Sequence, residues 1–403
     1  MRILWFTNTP SGYVSEKGGY NGGGWISSLE AEVCRSGNVQ LGVAFLMNNQ
    51  PECVEQGGVK YFPIHKKNRL FPGLSYRKDD EAVLRSCLKI VESFKPDIIN
   101  VFGTERCFSL IGKYTDTPIV VHIQGLLLPY VNAFLPPAKS FFYYLFQDYR
   151  LRSIVRRYRQ FKYVYLCGSM REKEILHNCL YYIGRTQWDY NLVNLYGKNV
   201  SYYHGDEILR PEFYLAEGRN EVPQKLNIVT TISDVPYKGF DIVLKCARIL
   251  RDELHIDFEW NVFGNLNAGN KQKSKLEALN IKLRGVANAK TLIDFLTKCT
   301  CFVHPSYIDN SPNSVCEAQI LGCPVVAQYV GGVPSLIDNN KTGILVPAND
   351  PYQMAVYIQQ LHEDKQLNLR IGKESKIKAL QRHDKQKITD NLIHIYNDII
   401  STV

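Results

Sequence analysis

Two acids with seven residues between them, Asp309 and Glu317, sit in the stretch best suited to chemistry, CFVHPSYIDNSPNSVCEAQILGCP from Cys301 to Pro324. Carboxylates accept hydrogen bonds from paired hydroxyls, as on a ribose or a hexose. Between the acids, Ser311 suits an N-cap and Pro312 the first helical position, where a missing N–H costs nothing. A helix begun there aims its free amides and the positive end of its dipole at the loop in front. Amides for phosphate oxygens and acids for diols together suit an anionic ligand that carries hydroxyls. The same residues would also serve an ordinary strand-to-helix connection with two solvated acids.

Three further places could contribute. Lys238-Gly239 opens a helical pattern at Ile242, Leu244, Ala247 and Leu250. A lysine there reaches a diphosphate as a mobile point charge, although the open surface is the commoner place for a lysine. Gly18, Gly19, Gly22, Gly23 and Gly24 follow an apolar run, Arg2 to Thr7, and precede a helical spacing at Trp25, Leu29 and Val33. Strand, glycine loop and helix bring backbone at Gly23 and Gly24 close to a phosphate or sugar; a lid or a permissive turn would use the same glycines. His122 ends the run VVHIQG, at the strand end where open α/β sheets meet ligands. A half-buried, hydrogen-bonded structural histidine is the alternative there.

The elements that position these groups alternate. Gln40 to Leu46, Pro96 to Phe102, Pro118 to Ile123 and Lys162 to Cys167 read as strands, with a helix over Asp80 to Phe94. After a break near 205–222, strands at Leu226 to Thr231, Glu259 to Gly264 and Ile281 to Val286 begin a second series. Asn349-Asp350-Pro351 caps a helix through Leu361, and Ile388, Leu392, Ile395 and Ile399 mark an amphipathic last helix. The expected fold is α/β, two Rossmann-like doubly wound parallel sheets: 1–205, 206–384, and a helix at 385–403 that returns to the first domain.

A chain of 403 residues with 45% hydrophobic and 22% charged residues is an ordinary globular protein with room for two or three cores. A net charge of +9 favours anionic partners, but no nucleic-acid motif accompanies it. No apolar run approaches the roughly 18 residues of a spanning helix, and no signal-peptide core is visible at the start. Eleven dispersed cysteines without metal spacing suit reduced thiols in the cytoplasm, and Asp79-Asp80-Glu81 reads as solvated charge at a helix start, so no metal site is expected. Between 126 and 162 an aromatic half runs into a basic half holding Arg150, Arg152, Arg156, Arg157, Arg159 and Lys162. That composition suits peripheral contact with an anionic membrane, on its inner face; a packed helix pair or an acceptor-lining aromatic cluster would also account for it.

The segment HPSYIDNSPNSVCEAQILGCPVVAQYVGGVPSLI resembles the donor site of retaining glycosyltransferases of the GT-B fold, family 4 (glycosyl transferases group 1), of the bacterial surface-polysaccharide type. The matching features are Asp309, Glu317, Gly322-Cys323-Pro324, Gly331-Gly332 and the Lys238-Gly239 pair. YYIGRTQWDYN and YYHGDEILR resemble two further elements of bacterial members, through Arg185, Asp189, Glu207 and Arg210. The resemblance implies two domains facing a cleft and metal-independent transfer of a hexose or N-acetylhexosamine. The donor would be a UDP or GDP sugar, used as substrate without any cofactor, and the acceptor a glycan or lipid-linked glycan hydroxyl. It implies catalytic roles for His122, Lys238 and Asp309, ribose contact by Glu317, base contact near Val286, and phosphate contact by Gly23, Gly24 and the amides from Asn310 to Val315. Three positions depart from the pattern: Asp309 for Glu, Ser335 for an acid and Ser233 for an arginine. A same-fold epimerase or phosphorylase, or a non-catalytic membrane-associated scaffold, is the alternative.

Overall fold

The computed structural model describes residues 1–14, 24–37, 39–48, 53–65, 76–147, 150–266 and 270–402, so Gly18, Gly19, Gly22 and Gly23 lie outside the described residues. The chain divides into two compact units: Met1–Val131, Leu145–Ile208 and His383–Val403 form one, Asn132–Tyr144 and Leu209–Arg382 the other. The sequence pattern predicts an unbroken first domain over 1–205. Asn132–Tyr144 instead belongs to the second unit, where the Phe134 ring lies 5.1 Å from Tyr144 and 6.2 Å from Tyr237.

The first unit is built on one sheet. β1 (Arg2–Thr7), β2 (Gln40–Leu46), β3 (Val54–Gln56) and β4 (Val59–Ile64) come first. β5 (Ile98–Phe102), β6 (Ile119–His122), β7 (Tyr181–Gly184) and β8 (Ser201–His204) follow. The spatial order is β3-β4-β2-β1-β5-β6-β7-β8, parallel throughout except for the β3–β4 hairpin. Side chains alternate across a strand. Leu4 and Phe6 therefore enter a core with Ile99, Val101 and Val121, while Trp5 faces the other way and donates from Nε1 to Tyr396 Oη at 3.1 Å. Tyr396 belongs to the last helix, Lys385–Thr402, which buries Ile388, Leu392, Ile395 and Ile399.

One expected strand is a helix. Lys162 to Cys167 continues the helix Leu151–Arg159 through a wider π-turn, Gln160–Leu166, and on into Cys167–Asn178. Within the turn only Tyr165 is buried, so Tyr163 and Val164 have no sheet face to fill despite their strand propensity. The backbone bonds of this stretch are met along one continuous helical path.

The second unit carries β9 (Leu226–Thr231), β10 (Phe258–Phe263) and β11 (Ile281–Gly285), then β12 (Cys301–His304), β13 (Val325–Gln328) and β14 (Ile344–Val346). Their order is β11-β10-β9-β12-β13-β14, all parallel. Its two faces are distinct cores. Cys301 and Val303 pack with Trp260, Ile242 and Met354 on one side, and Phe302 with Val315, Ala318 and Leu292 on the other. Strands covered on both faces are what a doubly wound parallel sheet requires. Among the described residues, no helix is long and apolar enough to cross a membrane.

Candidate functional site

In the second unit the strand order reverses between β9 and β12. Loops leaving neighbouring strands in opposite directions open a crevice at such a point. Lys238 follows β9 at the end of a short 3-10 turn, Pro236–Lys238, and Asp309 lies in the loop after β12. The two meet there: Lys238 Nζ is 2.6 Å from Asp309 Oδ2. His304, the last residue of β12, brings Nε2 to 3.2 Å from the same oxygen, and the Asn310 amide donates to Oδ1 at 3.2 Å. Burial alone would raise the Asp309 carboxyl; the Lys238 charge and His304 outweigh it and hold it well below the usual carboxylate range.

Two glycines let the backbone close around this pair. Gly239, at φ 75°, would press a Cβ to 1.9 Å from the Pro305 carbonyl oxygen, and Gly331, at φ 51°, to 2.0 Å from that of Asp309. The Gly332 amide donates to the same Asp309 carbonyl at 2.9 Å. The Gly-Gly pair thus clamps the acid's loop, a backbone approach only glycine permits.

The helix after this loop is Asn313–Ile320. Ser311 is not its N-cap. Pro312 occupies that position with an extended ψ of 114°, and a residue preceding proline is itself held extended. The Val315 amide turns back to the Pro312 carbonyl at 2.9 Å, so Asn313 and Ser314 are the amides that the helix leaves unpaired. Both residues are partly exposed, whereas Asn310, Ser311 and Val315 are buried.

Glu317 sits deeper, and its partner lies far off in sequence. Arg210 donates from Nε to Oε1 at 2.7 Å and from Nη2 to Oε2 at 2.9 Å, while its guanidinium lies 4.8 Å over the Phe213 ring. Burial pushes the Glu317 carboxyl up and Arg210 pulls it back. Val286, just beyond β11, is exposed, and neighbouring Gly285 faces open space.

The remaining candidates belong to the first unit. His122 is buried at the end of β6, stacked on Phe102 at 5.1 Å and tilted against Trp25 at 5.2 Å. Among the described residues neither ring nitrogen has a hydrogen-bond partner. Burial and the Arg185 charge push its pKa well below the ordinary histidine value. Gly24 opens the helix Gly24–Arg35 at φ 52° beside open space, next to the Trp25 that touches His122.

The sequence leaves Arg185, Asp189, Glu207 and Arg210 open as an ion-pair clamp or as groups that organise the domain boundary or position an acceptor; in the structure they take separate partners. Arg185 Nε lies 3.5 Å from Glu207 Oε2, with its guanidinium over Trp25 at 4.2 Å. Asp189 completes a capping box with Thr186 and also takes the Arg185 amide at 3.0 Å. Its role is to start its own helix. Sequence reasoning missed the Arg210–Glu317 pairing, for which spacing offers no signal. It also missed His304, whose place at a strand end beside the acid was a usable one.

Residues 217–378 match the family described as glycosyl transferases group 1. D-inositol 3-phosphate glycosyltransferase of Streptomyces avermitilis is 29% identical over 151 residues, 34% of this chain and 32% of that relative. N,N'-diacetylbacillosaminyl-diphospho-undecaprenol alpha-1,3-N-acetylgalactosaminyltransferase of Campylobacter jejuni is 29% identical over 168 residues, 41% and 43% of the two chains. The matched stretch thus spans well under half of either relative's length. Sucrose-phosphate synthase from Thermosynechococcus elongatus superposes over 100% of both chains with a TM-score of 0.75 at 15% identity, a likeness of fold alone. Two Rossmann-like units on parallel sheets are the GT-B architecture, and the Lys238–Asp309 and Glu317 sites lie within residues 217–378, the part of the chain similar to glycosyl transferases group 1.

Proposed function

We propose that the chain is a retaining glycosyltransferase that moves a hexose or N-acetylhexosamine from a UDP or GDP sugar to a glycan or lipid-linked glycan hydroxyl, in bacterial surface-polysaccharide synthesis. The observation that carries this reading is the Lys238–Asp309 contact at 2.6 Å across the strand reversal, directly ahead of a helix N-terminus. Negative charge grows on a departing diphosphate as the glycosidic bond breaks. Lys238 spends one N–H on Asp309 and keeps two for phosphate oxygens. The Asn313 and Ser314 amides add fixed donors, each worth about 3 kcal/mol in comparable oxyanion sites.

Arg210 takes one lone pair from each Glu317 oxygen. The lone pairs left over accept the two ribose hydroxyls. Asp309, held as an anion, hydrogen-bonds the donor sugar; its ion pair supports a binding role over that of a covalent nucleophile. The acceptor hydroxyl then attacks from the face the diphosphate leaves. The sequence resemblance implies a catalytic role for His122, and both its ring nitrogens are unpartnered among the described residues. The nucleotide sugar is substrate, and neither metal nor cofactor is assigned. Placement in the cytoplasm, against the inner membrane face, is supported by free thiols at all eleven cysteines and by the helix Leu151–Arg159. That helix buries nothing and shows Leu151, Val155 and Tyr158 at helical spacing among its arginines.

A thermal-shift panel of UDP, GDP, ADP and dTDP sugars tests the donor site. A donor at 100 times its dissociation constant adds about 2.7 kcal/mol. Stabilisation by one nucleotide family, lost in Glu317→Gln, is expected; stabilisation by none overturns the reading. Anomeric coupling constants of the product then check retention.

A further inference from the structure

The sheet of the first unit also reverses its strand order, between β1 and β5. Asn8 directly follows β1 and Glu105 lies three residues beyond β5. Asn8 Nδ2 donates to Glu105 Oε2 at 2.9 Å, joining the two loops across the reversal. A cavity of about 490 Å³ opens over this pair, well within the size of small-molecule sites.

Its walls differ in character. Arg171 grips Asp80 with two bonds of 2.7 and 3.1 Å and donates to the Glu105 carbonyl at 3.0 Å, which locks the polar floor. Tyr163 and Val164, from the turn after the basic helix, supply a ring and an apolar surface. Arg106, exposed, and Arg159, partly buried, also line the cavity. Planar acids and amides suit vicinal hydroxyls, an apolar wall suits the C–H face of a pyranose, and free guanidinium forks suit an oxyanion.

We propose that this cavity binds a sugar bearing an anionic substituent, with hydroxyls on Asn8 and Glu105 and the phosphate or carboxylate on Arg106 and Arg159. Its identity as the acceptor rests on the transferase reading; the binding itself does not. The loops that would hold this sugar leave the sheet at the reversal of strand order, as do those of the Lys238–Asp309 site in the other unit.

Saturation-transfer NMR on the full chain, without donor, tests it with three probes taken separately: glucose 1-phosphate, glucuronic acid and methyl α-glucoside. Transfer to one or both anionic probes and weaker transfer to the neutral one is expected, and the stronger anion identifies the substituent. Val164→Trp, which fills a half-exposed wall, should weaken anionic binding about tenfold, and Arg159→Glu by a similar factor. Glu105→Gln, isosteric and harmless to the backbone, should weaken all three probes. Equal transfer to the neutral probe overturns the anionic part. No transfer to any probe in wild type, or transfer unchanged in Val164→Trp and Glu105→Gln, overturns the site. UDP or GDP sugar stabilisation measured on the same variants stays at the wild-type level. Loss of that stabilisation in wild type with sugar binding intact would count against the transferase reading alone.

Discussion

Arg210 holds both carboxylate oxygens of Glu317 although 107 positions separate them. A bidentate guanidinium fixes the plane of the carboxylate as well as its charge. Arg210→Ala should therefore leave a buried acid that protonates more readily, since burial already pushes Glu317 up and only Arg210 opposes it. Nucleotide binding, which needs the anion, should then weaken as pH falls at a higher pH than in wild type. Arg210→Lys keeps the charge but loses the fork, and its midpoint should fall between the two. Calorimetric titrations of the nucleotide from pH 5 to 9 read the shift; coincident profiles would dismiss the pairing as a positioning device.

The Lys238–Asp309 pair predicts a stability pattern. Asp309 is buried and held as an anion, so Lys238→Met strands a charge at a cost of about 3 kcal/mol. Adding Asp309→Asn should recover most of it. Because the Asp309 carboxyl is held below its ordinary value, the pair's contribution is complete at neutral pH and fades only in strong acid, as pH falls through the lowered folded value. Urea midpoints of the single and double variants decide this.

Gly331→Ala should damage donor binding from a distance. The new Cβ would stand 2.0 Å from the Asp309 carbonyl oxygen in a left-handed backbone, so a loss above about 1 kcal/mol and a displaced acid are expected. Gly57→Ala, in the turn between β3 and β4, has the same left-handed strain, at φ 57°, but open space around it. It should cost stability while leaving donor affinity closer to wild type, and equal affinity losses in the two would count against the clamp.

How far the sequence could be read varied with the physics. Leu226–Thr231 and Gln40–Leu46 are found with the predicted ends because buried parallel strands write a continuous apolar run between polar turns. The run Lys162 to Cys167 looks much the same locally, yet the helix preceding it continues through it and only Tyr165 finds a core. Lys238 is legible beside its glycine and Asp309 in the polar loop ahead of a helix, but their direct contact depends on strand order, which no spacing reveals. Arg210 lies beyond sequence reading for the same reason: its partner is brought to it by a different part of the fold.

Glu172 predicts a pH effect in the first unit. It accepts from the Leu127 and Leu128 amides at 2.8 and 2.7 Å and from the Thr104 hydroxyl, and burial raises it to about 7 despite those bonds. An acid raised in the folded state binds protons more tightly folded than unfolded. Its effect on stability is most favourable below the unfolded value of 4.5 and is lost as pH rises towards about 7. Glu172→Gln should flatten the urea midpoint between pH 5 and 8 relative to wild type; parallel curves would refute it.

The exposed basic helix predicts vesicle binding. Arg152→Glu with Arg156→Glu spares Arg157, whose Nη1 donates to the Leu145 carbonyl at 3.3 Å, and Arg159, which lines the cavity. At about 1 kcal/mol per basic residue near an anionic leaflet, losing two arginines alone should weaken binding about thirtyfold, and the two new carboxylates add repulsion to that. Unchanged flotation with phosphatidylglycerol liposomes would remove the membrane from the picture.

The Trp5–Tyr396 hydrogen bond joins the first strand to the last helix. During synthesis this sets an order of events. Residues 209–382, nearly all of the second unit, leave the ribosome while one face of β1 still waits for its cover. Until the last helix arrives, Trp5 and its neighbours present an apolar strand surface to chaperones and proteases. A stop codon after residue 382 therefore removes the helix that covers Trp5 and leaves a nascent unit that cannot finish closing its core.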